Sequence, residues 1–361
     1  MTTKIRFRRG IALVSFGAAF FLSGCSDDKP GAFVPPAPGS AVQVGVPPSG
    51  EKLYVDHSTG YSDFGTIELP DGTILGHRGD PPCLSTLRPA AKPQTVRCLT
   101  VKPDKQVPVG FARTPDGKVY FGWGTVLYAG TPPRLDDFKG VSGPGYPVLT
   151  DNTPIGARSD GTVIVIGQKN VWEFRQGALT SVYQLKDLHW PRPDAQPEYV
   201  GTGTAGFVDP QDTIWIAPDR GDPQTHGLEL SLLEDVVGIT KTGTPVWPKL
   251  PQQIPGVPGD LAKLEVVGMI SDGHGGFFFR VEQYRTTPQY VIHVTADGAG
   301  TLVAASDVDP DDQAARNVKM SGPTDALHIP LYLPKGMVLR PGALILGGAA
   351  NYAVAVGLPQ N

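Results

Sequence analysis

The sequence predicts an all-β protein, a β-propeller with six blades, or with seven if an insertion hides a divergent blade. Three observations support this prediction: abundant glycine and proline, a degenerate strand-and-turn repeat, and repeat intervals near the roughly 40–50 residues typical of a four-stranded blade. The 361 residues include 45 glycines and 37 prolines, which disfavour helix interiors and suit short strands joined by turns. With 40% hydrophobic and 18% charged residues, the composition is that of a globular protein.

Each copy of the repeat has a small or apolar lead-in, a turn that usually contains Asp-Gly, and a run of alternating apolar residues. Asp-Gly supplies the positive φ angles that tight hairpin turns need, and alternation is typical of half-buried strands. A second hairpin follows in several copies, which gives four strands per unit. The intervals between turns are 45, 44, 51, 61 and 70 residues, and the two longest predict insertions near 219–262 and 303–336. The turns are centred on residues 71, 116, 160, 211, 272 and 342.

The last unit ends one strand short. Residues 351–357 are predicted to be its third strand, and few residues follow them. An open sheet edge in a ring invites aggregation, so we expect a strand from the N-terminal part of the chain to complete this blade. The segment Lys52–Asp56 is the predicted closing strand.

Residues 1–24 have the features of a bacterial lipoprotein signal peptide. A basic start (Lys4, Arg6, Arg8 and Arg9) precedes a 14-residue apolar stretch, shorter than the roughly 20 residues that span a bilayer. The stretch ends in Leu22-Ser23-Gly24-Cys25, which resembles the lipobox of bacterial lipoproteins. The resemblance implies cleavage before Cys25, lipidation of Cys25 with fatty acids such as palmitate, and an extracytoplasmic protein anchored to the cell membrane or outer membrane. The alternative is an ordinary secretory signal followed by a chance cysteine.

Residues 25–50 are predicted to be a linker rich in proline and glycine, and residues 51–361 to be the propeller domain. No charged residue occurs from 31 to 50. Loss of the signal peptide would change the formal net charge from −4 to −8. This balance argues against a nucleic-acid partner, and the linker would hold an acidic domain away from an anionic membrane. A monomer is expected.

Two cysteines remain, Cys83 and Cys98, and outside the cytoplasm they are predicted to form a disulfide. Closing a loop of this length contributes about 3 kcal/mol in the chain-entropy model. Two free buried thiols, or half of a metal site, are the alternatives.

The repeat over residues 51–358 resembles the six-bladed propellers of the NHL and SMP-30/gluconolactonase type. The resemblance implies a binding site at one mouth of the central channel, and in lactonase-like relatives Glu, Asn and Asp residues hold a divalent cation there. No position of this sequence is matched by a family motif, so no catalytic or metal-binding residue is assigned and no cofactor is predicted, although calcium is possible. The oxygen-bearing residues that could converge are Asp56, Asp63, Asp80, Asn152, Glu265 and Asp272.

Four residues are candidates for ligand binding. Arg113 and Arg158 occupy what looks like the same repeat position, where they could clamp an anion or join adjacent blades by salt bridges. Asp272 and His274 lie in a glycine-rich turn, where His274 is either a turn residue or a base that needs an orienting partner. His293, by contrast, is predicted to pack in a strand or face solvent.

Three functions compete on this basis. The first is a membrane-anchored, non-catalytic module that binds a protein, a glycan or a small ligand. The alternative is a metal-dependent, lactonase-like hydrolase or lyase at the channel mouth, which rests on fold analogy alone. The third is a component of an envelope complex, which would expose a large apolar patch, for example within residues 228–237.

Overall fold

The computed structural model shows a β-propeller of six four-stranded blades, as the sequence predicted. All pairings within the blades are antiparallel. None of the helices in the part of the chain that the structure describes is long and apolar enough to cross a membrane. The described residues are 31–53, 66–79, 82–99, 108–123, 126–131, 138–141, 153–167, 170–184, 205–218, 220–221, 229–283, 288–309, 312, 318–348 and 350–359.

Blades 1 to 3 follow one another along the chain, each running from an inner first strand to an outer fourth strand. Blade 1 contains β2 (Ile67–Glu68), β3 (Ile74–Gly79), β4 (Pro82–Leu87) and β6 (Arg97–Leu99). Blade 2 contains β7 (Pro108–Arg113), β8 (Val119–Trp123), β9 (Val126–Gly130) and β10 (Lys139–Gly140). Blade 3 contains β11 (Thr153–Ala157), β12 (Val163–Ile166), β13 (Asn170–Arg175) and β14 (Ala178–Gln184).

Blades 4 and 5 carry the longer connections. Blade 4 contains β15 (Ala205–Val208), β16 (Ile214–Ala217), β19 (Val237–Ile239) and β20 (Pro245–Val246), and the ribbon β17 (Arg220–Gly221) with β18 (Glu229–Leu230) is inserted within it. Blade 5 contains β21 (Glu265–Ser271), β22 (Phe277–Glu282), β23 (Gln289–Val294) and β24 (Gly300–Ser306). Short 3-10 helices cover Leu233–Asp235, Leu261–Lys263 and Ala326–His328.

Blade 6 closes the ring with an N-terminal strand, as expected, but the predicted segment is wrong. Its strands are β26 (Gly336–Arg340), β27 (Ala343–Gly347), β28 (Ala353–Gly357) and, outermost, β1 (Ser40–Val46). Lys52 and Leu53 are not in a strand, and residues 54–56 lie outside the described residues. The true closing strand lies inside the segment that we interpreted as a linker. Its apolar residues bury against blade 6, which a count of glycine and proline does not reveal.

Two short strands extend the outer edge of blade 6. β25 (Thr324–Asp325) pairs antiparallel with β1, and β5 (Gln94–Thr95) pairs with it in parallel. The fourth strand of this blade is therefore held by blade 1 as well as by the C-terminal strands.

All six predicted turns connect the first and second strands of a blade. Gly72, Gly117, Gly161 and Gly273 have φ angles between +80° and +85°, the left-handed conformation for which glycine is suited. The six turns meet around one mouth of the channel, and we call this side of the propeller the turn face. Each first strand begins, and each fourth strand ends, at the opposite face of the propeller.

Glycine also sets how closely the first strands of neighbouring blades approach. A Cβ atom at Gly268 would lie 2.4 Å from the carbonyl oxygen of Lys335, just before β26. A Cβ atom at Gly156 would lie 2.9 Å from the backbone nitrogen of Val208 in the next blade. These glycines allow the inner strands to pack against each other around the channel.

The hydrophobic core lies between the blades. Between blades 4 and 5, for example, Trp215 meets Phe277 edge to face with ring centroids 4.7 Å apart. Leu233 and Val236 are fully buried in the same cluster, and Val237 is fully buried in the cluster between blades 3 and 4. Residues 231–237 therefore pack mainly inward, and they do not form the exposed apolar patch that we considered within segment 228–237.

The predicted disulfide is confirmed. Cys83 in β4 is bonded to Cys98 in β6, with the two Cα atoms 5.6 Å apart. The bond fastens the outer strand of blade 1 to its neighbour.

Candidate functional site

A groove of about 1,030 Å³ separates blades 5 and 6 at the turn face, and we call it the blade 5–6 groove. Blade 5 contributes a side rich in hydrogen-bonding groups, and blade 6 contributes mainly apolar groups and Arg340. Pro35 and Gly39, which precede β1, also line it. Its lining includes Asp272, His274, Phe278, His293, Val303, Leu339, Arg340 and Leu358.

Strand register places the blade 5 side chains in one row. Phe278 of β22 is opposite His293 of β23, and His293 is opposite Thr301 of β24. Residues directly opposite each other in antiparallel strands point to the same side of the sheet. The rings of Phe278 and His293 stack at 4.5 Å with an interplanar angle of 15°. The row therefore forms one wall of the groove.

An aspartate holds the histidine ring in this wall. Oδ2 of Asp272 lies 2.9 Å from Nε2 of His293, while Oδ1 accepts hydrogen bonds from the backbone N–H groups of His274 (2.7 Å) and Gly276 (2.8 Å). Burial alone would raise the pKa of Asp272, but the bonds from His293 and the two N–H groups outweigh it and lower the pKa. Asp272 is thus an ionised, fixed carboxylate that orients His293.

The exposed residue His274 follows directly in the same turn. Its backbone N–H serves the turn by donating to Asp272, and its side chain lines the groove. Of the four ligand-binding candidates, the structure brings Asp272 and His274 together. It adds His293, which we had interpreted as a packing or solvent-facing residue.

Arg113 and Arg158 do not occupy the same repeat position, so that prediction is wrong. The backbone N–H of Arg158 donates to Thr162, and its carbonyl accepts from Gly161. In blade 2 the matching bonds, to Lys118 and from Gly117, are made by Thr114. Arg158 is therefore equivalent to Thr114. Arg113 is one residue earlier, and neighbouring residues of a strand point to opposite sides.

The two arginines accordingly have different surroundings. Arg113 is exposed and donates to the carbonyl oxygen of Glu68 in blade 1. Arg158 is buried and forms an ion pair with Glu173 within blade 3. Both arginines border the mouth of the central channel, where each is bonded to an oxygen of the protein, and of the two only Arg113 joins adjacent blades.

A second cavity, of about 720 Å³, lies at the channel mouth on the turn face and is lined by residues of all six blades. Asp212 at its edge joins blades 3 and 4. It accepts hydrogen bonds from the backbone N–H (2.6 Å) and hydroxyl (2.7 Å) of Ser159 and from Nζ of Lys241 (3.0 Å). Burial opposes ionisation, yet these bonds lower its pKa to about 2.

Sequence reasoning missed Asp212, although a signal was present. Its φ angle is +65°, at the turn position where other blades have glycine. A non-glycine residue in this conformation is uncommon and is retained where the surroundings hold it. The absence of glycine from the turn Asp209–Asp212 was the signal.

A comparison between blades places the Asp272–His293 pair in the repeat. The backbone N–H of Asp272 donates to Gly276 as that of Arg158 donates to Thr162, so Asp272 is equivalent to Arg158. His293, opposite Phe278, is equivalent to Glu173, opposite Ile164. Blades 3 and 5 therefore carry an acid–base pair at the same two positions with the acidic and basic residues exchanged, and only the pair of blade 5 lies beside the blade 5–6 groove.

The predicted metal-ligand set does not assemble within the described chain. There, no group of three or more His, Cys, Asp or Glu side chains is arranged to hold a metal ion. Glu265 begins β21 and Asp272 follows its end, so the seven-residue strand separates them by about 20 Å. Asp56, Asp63, Asp80 and Asn152 lie outside the described residues.

No protein-family model matches the chain, and no curated protein matches it in sequence. Several solved structures share its fold. A protein of unknown function from Bacteroides thetaiotaomicron aligns over 88% of this chain and 75% of its own, with 15% identity and a TM-score of 0.59. Virginiamycin B lyase from Staphylococcus aureus aligns over 86% and 99%, with 11% identity and a TM-score of 0.48. Regucalcin, a calcium-binding protein from Agrobacterium tumefaciens, aligns over 87% and 95%, with 11% identity and a TM-score of 0.48.

At these identities the similarity concerns the fold and leaves activity open. The chain is a six-bladed β-propeller, and what it shares with these solved structures is the fold.

Proposed function

We propose that this protein is an extracytoplasmic lipoprotein, anchored to the cell membrane or outer membrane through Cys25, that binds a ligand without chemical change. The basic, apolar and lipobox-like segments that end at Cys25 support the anchor. The Cys83–Cys98 disulfide fits an oxidising compartment. The resemblance of the signal to a lipobox also supports acylation of Cys25.

The blade 5–6 groove is the observation that carries the binding role. Its volume is at the upper end of the roughly 300–1,000 Å³ typical of small-molecule sites. Hydrogen-bonding groups (Asp272, His274 and His293) converge on the blade 5 side, and partly buried apolar groups lie on both sides, Val303 on blade 5 and Leu339 and Leu358 on or beside blade 6. A ligand site is usually a largely apolar concavity that contains a few polar groups.

The ionised state of Asp272 suits recognition. A carboxylate whose three donors are already in place keeps its position and fixes the ring of His293. The ring nitrogen that Asp272 does not engage, Nδ1, can then donate to or accept from a ligand.

Metabolic labelling with radioactive palmitate tests the anchor. The wild-type chain should incorporate label in a bacterial host and sediment with membranes, while Cys25→Ala should do neither. Cys83→Ala/Cys98→Ala is the matched control, because it removes the other cysteines and leaves Cys25. Equal labelling of wild type and Cys25→Ala would contradict the proposal.

Retention of small molecules tests the groove. The soluble chain, from residue 26, is exposed to a total envelope extract and washed, and what remains bound is identified by mass spectrometry. Val303→Trp fills the groove and should lose the bound species. Val182→Trp, on the exposed outer strand of blade 3, is the control and should retain it. Equal retention by both variants would place the ligand elsewhere.

A further inference from the structure

The first described residue, Gly31, contacts the propeller on the turn face. The carbonyl oxygen of Gly31 accepts a hydrogen bond from the backbone N–H of Ala91 (3.2 Å). Ala91 follows β4, whose last residue, Leu87, pairs with Ile74 next to the first turn. Gly31 is therefore held at the turn face, at the edge of blade 1.

The next residues stay on this face. Phe33 lies under the guanidinium of Arg340, 5.3 Å from the ring centroid, and Gly39 donates to the carbonyl oxygen of Gly357 (3.2 Å) at the end of β28. Only from Ser40 does the chain run away from the turn face, as β1. Pro35 and Gly39, which belong to this segment, also line the blade 5–6 groove.

Chain length then limits how far this face can be from an anchor. Gly31 is six residues after Cys25, and an extended chain spans at most about 3.6 Å per residue. A lipid on Cys25 would thus be within about 22 Å of Gly31. The opposite face lies about 20 Å away, the length of a blade strand of six or seven residues, so an anchor at that level would require residues 26–30 to be almost fully extended along the side of the propeller.

We propose that the turn face is the membrane-facing surface of the anchored protein and that the blade 5–6 groove takes an amphiphile from the adjacent leaflet. The apolar chain of the amphiphile lies against Val303, Leu339 and Leu358, and its polar group reaches His274 and the Asp272–His293 pair. This inference rests on the proposed lipid anchor and deepens the proposed binding role.

The charged residues that line the groove indicate which headgroup of an amphiphile it accepts. Among the described residues that line the groove, Asp272 and Arg340 carry formal charges. Arg340 is neutralised by Glu68, with 2.8 Å between Nη2 and Oε1. The ionised Asp272 remains, and a like charge beside it is unfavourable. The groove therefore selects zwitterionic or uncharged amphiphiles over anionic ones.

Energy transfer tests the orientation. A donor dye is placed on the turn face at Asp116→Cys or on the opposite face at Gln283→Cys, both exposed positions. The lipidated chain, its acyl groups confirmed by mass, is reconstituted in phosphatidylcholine vesicles that contain an acceptor-labelled lipid. Transfer from position 116 should be several-fold stronger than transfer from position 283. Equal transfer, or stronger transfer from position 283, in chains that carry the acyl groups would overturn the orientation and leave the anchor standing.

Binding of a fluorescent lysolipid tests the occupant. The soluble chain should bind acyl-labelled lysophosphatidylcholine saturably, Val303→Trp should bind it at least tenfold more weakly, and Val182→Trp should match wild type. Lysophosphatidylglycerol with the same chain should bind more weakly than lysophosphatidylcholine. Near-UV circular dichroism and urea unfolding show that each variant is folded. Absence of saturable binding by wild type, or equal binding by Val303→Trp, overturns the proposal, whereas the palmitate experiment reports on the anchor alone.

Discussion

The two ends of the interface between blades 5 and 6 differ in how far their polar groups are buried. On one face of β22, Phe278 lies at the turn-face end, and Arg280 and Glu282 follow toward the opposite face. Phe278 borders an open groove, whereas Arg280 is 0% exposed. Within four residues of one strand, the interface changes from accessible to sealed.

At the sealed end, several groups compensate the buried charge of Arg280. Arg280 forms an ion pair with Glu282, donates to the carbonyl oxygen of Leu333 (3.2 Å) and lies over the ring of Tyr332, 5.1 Å from its centroid. Tyr352 donates its hydroxyl to the carbonyl of Tyr332 (2.7 Å), and burial raises the pKa of Tyr352 well above its usual value. These contacts have little freedom because breaking one leaves a buried charge or donor without its partner.

The open end carries its polar groups at a solvent-accessible wall. His293 is one-quarter exposed, and its partner Asp272 is fixed by backbone donors of its own turn. A ligand can therefore replace water at His293 and His274 without breaking the turn. One interface therefore uses polar side chains for cohesion at one end and leaves them accessible to solvent at the other.

Removing the buried cation Arg280 should have the largest effect on the free energy of unfolding. Arg280→Met leaves Glu282 buried without its partner, which typically costs about 3–5 kcal/mol. Urea unfolding should show the loss as a lower midpoint. Arg280→Met/Glu282→Leu removes both charges and should recover most of the stability. A single variant as stable as wild type would mean that the sealed end contributes nothing to cohesion.

Asp212 closes another interface at the turn face, between blades 3 and 4, and its loss should have an intermediate effect. Asp212→Asn keeps a residue type that tolerates the positive φ but loses the ionised acceptor of the bonds from Ser159 and Lys241. We expect a loss of roughly 1–3 kcal/mol in unfolding free energy. Asp212→Gly relieves the backbone conformation while removing the same bonds, so the difference between the variants measures the strain. A wild-type midpoint for Asp212→Asn would contradict the role of this clamp.

Asp272 belongs to the open end, so its replacement should affect stability less and binding more. Asp272→Asn preserves the shape and should cost about 1 kcal/mol, the scale of a partly exposed hydrogen bond. Loss of the orienting carboxylate should at the same time weaken lysophosphatidylcholine binding severalfold. Urea unfolding and fluorescence titration of one preparation separate the two effects. Unchanged binding would remove Asp272 from the site.

Acid pH should produce the smallest effect, a gradual decrease in the difference between the unfolding midpoints of wild type and Asp212→Asn. The folded-state pKa of Asp212, about 2, is below the roughly 3.9 of an unfolded aspartate. Its stabilising contribution is therefore complete above about pH 4 and is lost as the pH falls through about 2. Unfolding midpoints measured from pH 6 to pH 2.5 should converge toward the acid end. Parallel curves would show that another group governs the acid response.

The sequence predicted the propeller because its signals are local. Asp-Gly requires a positive φ, alternation places one face of a strand in the core, and both recur at the interval of a blade. The disulfide followed from two cysteines in a chain that the sequence predicts to be exported. By contrast, the choice of β1 as the closing strand depends on what the outer edge of blade 6 can bury. The residues before Lys52 offered alternating apolar side chains among the prolines and glycines.

Which side chains meet at the site depends on the register between strands, and the sequence does not show this register. Arg113 and Arg158 looked equivalent because each follows an alanine. One extra residue before the Asp-Gly turn of blade 2 shifts Arg113 by one position, so Arg113 is exposed whereas Arg158 is buried. His293 lies 21 residues after Asp272, and the two meet because the hairpins of blade 5 bring the end of the third strand beside the first turn.

By itself, the sequence determined the β-propeller, its six turns and its disulfide, since each follows from the conformational limits of a few adjacent residues. Only the tertiary structure decided which strand closes the ring, which arginine is buried and which histidine meets an aspartate. These outcomes depend on the packing of one blade against the next and on hydrogen-bond register across strands. A one-residue shift reverses the side of the sheet to which a side chain points.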